Sequence, residues 1–490
     1  MGNVLPMKFI QQMFVALILS IALGWGVVYH FDAVIVSISL LAAGILLLLV
    51  PFAFKQLIKR YSLGKPIIYL FVFSSFLGPG IISFRVGPIS LFPYRILLPV
   101  AMLAALYYWL FKKEEHSIIN RQPVKPVLLF LLGWLCFGFI SLLWAESLID
   151  GIKELVFLGL GIFLILLFTT FFNHRKDYTI VLYIWLTALL FIIVLGFWNH
   201  FTKQALPVSR MYDAPLYIRG RPTAVFKNEN DLASFLALSV FLLLPFLHYS
   251  KRWMLKLIAV FMLLSSLYLI NLTLSRANLL AVIIGALFWF LFFTTKKEKQ
   301  YTLYAVAVVG IVGMVLFADR FLILFNDVFQ TILSLFQPSQ NPSDSNDIRV
   351  NLIKNALLFL SNTFGFGIGA GNIEHFINSH AKYSTMGTLN LHNWWIEILV
   401  QYGFIAFAGY VITYIWMIVT LLKLFFKSTN NQDRSLSEAL CTTIVVFSLA
   451  SISPSSIMTL NYSWVLWAFA IGYINFRYKN DLKQKPEGAI

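Results

Sequence analysis

Long apolar runs separated by short polar breaks dominate the pattern of hydrophobic and polar positions along this chain. A helix of about 20 apolar residues crosses a hydrocarbon core about 30 Å thick. The pattern therefore predicts an all-α polytopic membrane protein with about 14 transmembrane helices. The predicted spans are residues 12–29, 33–54, 66–83, 96–111, 126–144, 154–172, 178–198, 231–249, 254–273, 277–294, 301–318, 403–424, 437–454 and 461–476.

Two polar segments are longer than a connection between neighbouring spans requires, residues 199–230 and residues 319–402. The second, between spans 11 and 12, is predicted to be a large, partly helical extracytoplasmic loop. Within it, residues 319–336 predict an amphipathic helix in the outer membrane interface, and a second helical pattern begins near Arg349. The polar face of the amphipathic helix is formed by Asp327, Gln330, Thr331 and Ser334. Long loops of this kind commonly carry binding and catalytic residues.

Composition and charge narrow the class of protein further. Of the 490 residues, 59% are hydrophobic and 12% charged, whereas roughly a quarter are charged in a soluble domain, so a soluble enzyme is excluded. When both termini are placed in the cytoplasm, that side receives 24 of the 37 Lys and Arg and 8 of the 21 Asp and Glu, and hence the whole net charge of +16. This distribution follows the positive-inside rule. Because the basic residues lie in short loops between spans, nucleic acid is excluded as a partner.

Arginines on the predicted outer side run against that charge bias. Arg210, Arg219 and Arg221 lie in one loop, Arg276 in a short turn, and Arg349 at the start of a helical pattern. Planar guanidinium groups suit the oxygens of phosphate or diphosphate, so these residues predict a binding site for an anionic ligand near the membrane surface. The alternative is that each arginine extends to lipid phosphates or pairs with a nearby acid.

One histidine lies in a polar and aromatic cluster just before the twelfth span. His392 precedes Asn393, and Glu397 follows one helical turn later. A histidine there is a candidate general base, because its ordinary pKa is close to neutral pH. The alternative is an interfacial helix start, with Asn393 as N-cap and Trp394 and Trp395 in the aromatic belt.

Neither a metal nor a nucleotide site is predicted. His375, His380 and His392 lack the spacing of metal ligands, both cysteines lie in apolar segments, and the chain has no Walker loop. Residues 363–372 contain four alternating glycines, but they do not match a dinucleotide fingerprint. Tight turns or a close approach of backbone explain these glycines equally well.

Four stretches, taken in order, resemble the O-antigen ligase and polymerase family of bacterial surface-polysaccharide enzymes. They are RPTAVFKNENDLA (221–233), LTLSRANLL (272–280), RVNLIKNALLFLSNTFGFGIGAGN (349–372) and HNWWIEILVQYGF (392–404). The resemblance covers residues 221–410, and the N-terminal half matches only in hydropathy. Two positions depart from the family's pattern: Ala224 stands where glycine is common, and Gln401 replaces a common acidic residue.

The resemblance implies a membrane glycosyltransferase that polymerises undecaprenyl-diphosphate-linked glycan repeat units of a cell-surface polysaccharide on the outer face of the bacterial cytoplasmic membrane. In length and loop placement the chain resembles family members that polymerise teichuronic acid, a Gram-positive wall polysaccharide. The implied reaction inverts the anomeric centre and uses no metal and no cofactor. The implied partners are the lipid-linked donor, a glycan acceptor, membrane lipid and other polysaccharide-biosynthesis proteins.

The predicted spans and the family resemblance together suggest how the chain is divided into regions and which residues form the site. Residues 1–198 are expected to form about seven membrane helices, residues 199–424 the catalytic region with both external loops, and residues 425–490 two spans and a basic cytoplasmic tail. His392 is the expected catalytic base. The expected diphosphate-binding residues are Arg221, Arg276 and Arg349, and the supporting residues are Arg219, Asn230, Asn393 and Glu397.

Two alternatives stay open. A ligase of the same family would transfer the lipid-linked glycan to a different acceptor. A flippase or transporter of lipid-linked glycan would also be a large helical bundle. Such a transporter should carry charged residues near the middle of its spans, where this sequence is almost free of charge.

The predicted orientation is testable with single cysteines at Ser343 and Ser428. With an impermeant thiol reagent on intact cells, Ser343→Cys should be labelled and Ser428→Cys should not, because the charge bias places residues 319–402 outside. Labelling of the Ser428 variant alone would show that the orientation in the membrane is the reverse of the predicted one.

Overall fold

Helices account for nearly all of the regular structure in the computed structural model, which describes residues 64–111 (except 79, 82, 87 and 88), 123–304, 307–308, 311 and 345–484. The predicted spans 12–29 and 33–54, most of span 301–318, and the predicted amphipathic helix at 319–336 lie outside the described residues.

The first group of helices runs from the N-terminal end of the described chain to residue 293. It comprises α1 (Gly64–Ser74), α2 (Pro93–Phe111), α3 (Lys125–Ser141), α4 (Leu148–Phe171), α5 (Arg175–Thr202), α6 (Glu229–Phe241), α7 (Trp253–Leu272) and α8 (Arg276–Phe293). A π-helical turn, Pro245–Tyr249, follows α6.

The second group comprises α9 (Ser345–Asn362), α10 (Ile373–His380), α11 (Trp394–Lys427), α12 (Asn431–Ala450) and α13 (Asn461–Gln484). A single 3₁₀ turn, Ile457–Thr459, precedes α13. Helix α9 contains the helical pattern predicted near Arg349.

One sequence expectation is corrected between α1 and α2. The predicted span 66–83 is too long, because α1 ends at Ser74, and the sequence Gly-Pro-Gly at 78–80 disfavours a longer helix. An antiparallel hairpin then joins the two helices, with β1 (Phe84–Val86) paired to β2 (Ile89–Leu91). The chain is therefore helical apart from this one connection in its described part.

Six helices of the described residues are long and apolar enough to cross a membrane: α4, α5, α6 with its π-helical turn, α7, α8 and α11. The chain is a helical membrane protein. Helices α12 and α13, predicted as spans 437–454 and 461–476, are enclosed by other helices, and Leu440, Phe447, Val465 and Phe469 are fully buried. Because such central helices do not face lipid, they can carry more polar residues than a lipid-facing span.

Helix α11 bends at Gly403, which has φ 75° and ψ −179° inside an otherwise helical segment of 34 residues. The 404–427 portion alone measures about 36 Å at 1.5 Å per residue, which is enough to cross the hydrocarbon core. The portion before the bend is enclosed by protein, with every residue from Glu397 to Gly403 buried. The bend therefore separates a spanning part from a part that helps to form one end of the bundle.

Charged side chains join the helices at the end of the bundle where α11 finishes. Arg175 binds Asp433 through two hydrogen bonds of 2.6 Å, and Lys65 lies 2.7 Å from Asp177. Ser428 is buried there, with its hydroxyl 2.5 Å from the Leu424 carbonyl. Its exposed neighbour Thr429 is therefore a more accessible position for the cysteine labelling described above.

Candidate functional site

The opposite end of the bundle is organised around a serine-rich turn, Ser451–Ser456, between α12 and α13. The carbonyl of Ser451 accepts the backbone N–H of Trp394 at 3.2 Å. The hydroxyl of Ser453 lies 3.3 Å from that of Ser275, and the N–H of Ser455 donates to Asp231 at 3.1 Å. Three of the four motif stretches thus meet at one turn.

His392 is held on this turn by one ring nitrogen. Its Nδ1 lies 3.2 Å from the carbonyl oxygens of both Ser453 and Pro454. Because a carbonyl oxygen can only accept, Nδ1 must carry the proton, so in the neutral ring the lone pair is on Nε2. The backbone of His392 has φ 51°, a left-handed conformation that costs a non-glycine residue free energy.

Two effects hold the pKa of His392 below its ordinary value. Burial of the imidazole is the larger, and the positive charge of Arg349 adds to it, with a smaller contribution from Arg210. The carbonyls of Ser453 and Pro454 act in the opposite direction, because they stabilise the protonated ring. The ring is therefore neutral at neutral pH, as a proton acceptor must be.

A buried carboxylate orders two arginines of the 199–230 loop. Glu229, in the first turn of α6, is bound by Arg210 through Nε at 2.8 Å and through a second guanidinium nitrogen. A guanidinium nitrogen of Arg221 lies 4.0 Å from the same carboxylate. Pairing with an acid was the alternative to ligand binding for these arginines. One carboxylate, however, neutralises only one of the two positive charges. Arg210 and Arg221 also keep 53% and 37% of their side-chain surface exposed.

The other predicted arginines occupy different surroundings. Arg349, near the start of α9, is half-buried, and burial lowers the pKa of its guanidinium, which nevertheless stays cationic near neutral pH. Arg276 is exposed at the first residue of α8, next to Ser275 and hence to the serine-rich turn. Arg219 donates to the carbonyl of Ala214 within its own loop.

The three remaining supporting residues all lie at the starts of helices. Asn393 is the N-cap of α11, and its side chain accepts the N–H of Ile396 at 3.3 Å. Asn230 lies half-buried in the first turn of α6. Glu397 is 5% exposed and accepts a hydrogen bond from the hydroxyl of Ser456 at 3.0 Å.

The tryptophans after Asn393 pack into the bundle, which corrects the interpretation that they form an aromatic belt. Trp394 is 3% exposed, and its indole N–H donates to the hydroxyl of Tyr410 at 2.8 Å. The indole N–H of Trp395 donates to the carbonyl of Ser448 at 2.8 Å. Both aromatics anchor the start of α11 beside His392.

The alternating glycines fit closely along the bend of α11. Gly365, Gly367, Gly369 and Gly371 all have positive φ, from 68° to 97°. The carbonyl of Gly365 accepts the N–H of Phe404 at 3.0 Å, and the N–H of Gly369 donates to the carbonyl of Gln401 at 3.1 Å. Left-handed backbone and close approach, the two explanations suggested by sequence, therefore both apply.

Gln401, a departure from the family's pattern, has a defined role in this contact. Its side-chain oxygen accepts the N–H of Gly371, and its amide nitrogen lies 3.4 Å from a carboxylate oxygen of Glu397. An amide can accept at one atom and donate at the other, whereas an ionised acid at this position would only accept and would repel the buried Glu397.

Ala224, the other departure, lies in a strained backbone. It has φ 48°, which explains physically why glycine suits this position. The side chain of Asn199 stabilises the conformation, because its oxygen accepts the N–H groups of Thr223 at 3.2 Å and Ala224 at 2.7 Å.

Sequence reasoning missed three features of this site. Arg210 is one of the external arginines but is not among the predicted site residues, and neither is its partner Glu229. The serine-rich turn was missed entirely, although four serines around a proline between two spans are an unusual connection and a usable signal.

Within the part of the chain that the structure describes, no three His, Cys, Asp or Glu side chains are placed to hold a metal ion.

Comparison with known proteins gives two findings. A family model described as O-antigen ligase matches residues 261–411, which include Arg276, Arg349 and His392. The teichuronic acid biosynthesis protein TuaE of Bacillus subtilis (strain 168) is 33% identical over 453 residues, covering 92% of this chain and 91% of the relative. The similarity thus extends well beyond the four motif stretches.

The contact between the glycines and α11 predicts unequal effects of two alanine substitutions. Gly367→Ala adds a Cβ 2.5 Å from the carbonyl oxygen of Gln401, whereas Gly387→Ala, also at positive φ, meets nothing within 4 Å. Gly387→Ala should therefore cost only backbone strain, about 1–2 kcal/mol, and Gly367→Ala a further 1–3 kcal/mol or so from overpacking. Thermal unfolding in detergent measures both, and equal midpoints would contradict the packing described.

Proposed function

Since the chain belongs to the O-antigen ligase family, we propose that it is a membrane glycosyltransferase that polymerises undecaprenyl-diphosphate-linked glycan repeat units of a cell-surface polysaccharide. The observation that carries this proposal is a half-buried histidine that the serine-rich turn orients through Nδ1, with a pKa that burial and arginines from separate parts of the chain lower. The charges of Arg349 and Arg210 both lower the pKa of His392, and Arg210 shares the carboxylate of Glu229 with Arg221.

The arginines are proposed to bind the diphosphate of the donor. Arg221, Arg276 and Arg349 would face the diphosphate oxygens, and Arg219 and Asn230 would support the loop and helix start that carry them. As the bond to the sugar breaks, negative charge grows on the departing diphosphate, and fixed guanidinium groups stabilise that charge in the transition state. The reaction needs no metal in this scheme, because the arginines supply the positive charge.

His392 is proposed to be the general base. A hydroxyl of the acceptor glycan attacks the anomeric carbon of the donor, and Nε2 of His392 takes the hydroxyl proton. The bond between that carbon and the diphosphate oxygen breaks, and undecaprenyl diphosphate leaves with the electron pair. Attack opposite the leaving group inverts the anomeric centre. Asn393 and Glu397 would keep the start of α11, and hence His392, in place.

The similarity to a teichuronic acid biosynthesis protein supports a wall polysaccharide of that type as the product. The charge distribution of the sequence supports a site on the outer face of the bacterial cytoplasmic membrane, with both termini in the cytoplasm. In this proposal, residues 199–424 form the catalytic region, and the segment after residue 425 contributes the serine-rich turn.

Reconstituted protein separates the proposed activity from its alternatives. Liposomes containing purified protein and lipid-linked repeat units should yield longer lipid-linked glycans and free undecaprenyl diphosphate. Transfer that occurs only when a different acceptor is added would indicate a ligase. Movement of the donor across the bilayer without release of undecaprenyl diphosphate would indicate a flippase and would overturn the proposal.

We expect Arg221→Lys and Arg349→Lys to lose most of the polymerising activity while the folded protein still reaches the membrane. A lysine keeps the charge but presents no planar fork for two diphosphate oxygens. The control is Arg252→Lys, because Arg252 is exposed just before α7. Near-parental polymerisation by both test variants would mean that Arg221 and Arg349 are structural.

We expect His392→Ala to lower the rate by about 10²- to 10⁴-fold while binding of the donor persists. Because the pKa of His392 is held below its ordinary value of about 6.5, the parent rate should fall only below that pH, as the imidazole becomes protonated. The variant should lack this acid limb.

Two histidines of α10 provide matched controls for His392. His375 and His380 lie 3.4 and 3.0 Å from the same carboxylate oxygen of Glu146, so His375→Ala and His380→Ala should keep the parental acid limb. If His392→Ala instead turns over at the parental rate or abolishes donor binding, the assignment of His392 as base is wrong.

A further inference from the structure

A buried hydrogen-bond chain joins the first turn of α8 to the carbonyl that holds His392. The side-chain nitrogen of Asn278 donates to the hydroxyl of Ser453 at 2.7 Å and to that of Ser275 at 2.9 Å. The carbonyl oxygen of Ser453 in turn accepts a hydrogen bond from Nδ1 of His392 at 3.2 Å. Asn278, Ser275 and Ser453 are 0%, 4% and 1% exposed, so water does not compete for these contacts.

We propose that Asn278 is a positioning residue for the transfer step, which fixes the serine-rich turn and thereby aims Nε2 of His392 at the acceptor hydroxyl. This inference rests on the proposed function, because it needs His392 to act as base. Asn278 does not touch the ring. It acts through Ser453, whose hydroxyl it binds and whose carbonyl binds the ring.

The chemistry of the amide suits this task. Both hydrogens of the Asn278 amide nitrogen are used by two hydroxyl oxygens, one on α8 and one on the turn. Each serine keeps its own hydroxyl hydrogen, so the two hydroxyls can also bond to each other across their 3.3 Å separation. Removal of the amide leaves buried hydroxyl oxygens without their donor, which favours a shift of the turn. A displacement of about 1 Å in a reacting group can lower a rate by about 10²-fold.

The groups around His392 define what a pH profile will report. Arg349 of α9 and Arg210 of the 199–230 loop both lower its pKa, whereas the two carbonyls of the turn raise it. On the turn itself, Ser455 is bound to Asp231 and Ser456 to Glu397. Loss of the carbonyl contacts alone should therefore lower the pKa of His392 further.

The first measurement is the pH dependence of polymerisation by Asn278→Ala in reconstituted full-length protein. We expect kcat to fall about 10- to 100-fold with little change in KM for the donor, and the acid limb to move to lower pH. The matched control is Asn271→Ala, because Asn271 is an exposed asparagine in the last turn of α7. A parental kcat and acid limb for Asn278→Ala would overturn the inference.

The second measurement places the same substitution in a His392→Ala background. If Asn278 acts through His392, the Asn278→Ala change should have almost no further effect on the residual rate, since coupled residues are not additive. An equal loss in both backgrounds would assign Asn278 a general structural role and reject the inference. If His392→Ala alone proves fully active, it is the proposed base that fails, and the two failures are thus distinguishable.

Ser453→Ala tests the same chain with a smaller change. It removes the hydroxyl that Asn278 binds but keeps the backbone carbonyl, and Asn278 retains Ser275. We expect the same direction of change in kcat and acid limb, and a double variant with Asn278→Ala no worse than the more affected single variant. If Asn278→Ala does not accumulate, this variant decides the question, because an unchanged profile for it would reject the inference.

Discussion

The candidate site depends on one interaction, in which the backbone carbonyls of Ser453 and Pro454 both accept a hydrogen bond from Nδ1 of His392. They come from a turn that α6, α8 and α11 reach through Asp231, Ser275 and Trp394. A backbone carbonyl does not titrate, and the backbone holds its orientation. It therefore fixes both the tautomer and the direction of the ring. The orientation of the histidine is therefore a property of the whole helical bundle and not of the loop that contains it.

Backbone strain marks the same region. Each of the four motif stretches contains one non-glycine residue with positive φ, namely Ala224, Leu274, Phe364 and His392. Such conformations cost about 1–3 kcal/mol and persist only where neighbouring groups hold them. The side chain of Asn199 does so for Ala224. The motifs thus specify backbone shape as well as side-chain chemistry.

The described helices and the candidate residues were predictable from sequence to different degrees. Apolar runs predicted α4 to α8 and α11 because a lipid-facing helix must be apolar along most of its length. Charge on the predicted outer side indicated Arg221 and Arg349, and a polar and aromatic cluster indicated His392. The four serines around a proline are a visible signal for the serine-rich turn, but its role was not predictable, because it holds His392 through backbone carbonyls, which residue type does not specify. Tryptophan was ambiguous for a different reason, since both membrane interfaces and buried cores contain it.

Charge balance explains why arginines can gather near a histidine without disrupting the fold. Glu229 is buried and binds Arg210 closely, with Arg221 at the edge of the same carboxylate. A carboxylate so placed restricts the rotamers of a long side chain before any ligand arrives, which reduces the entropy that binding must later remove. Burial of the ring lowers the pKa of His392 most, and the charges of Arg349 and Arg210 both lower it further. In the proposed function the same positive charge would bind the donor diphosphate, so the base and the proposed diphosphate site would depend on the same arginines.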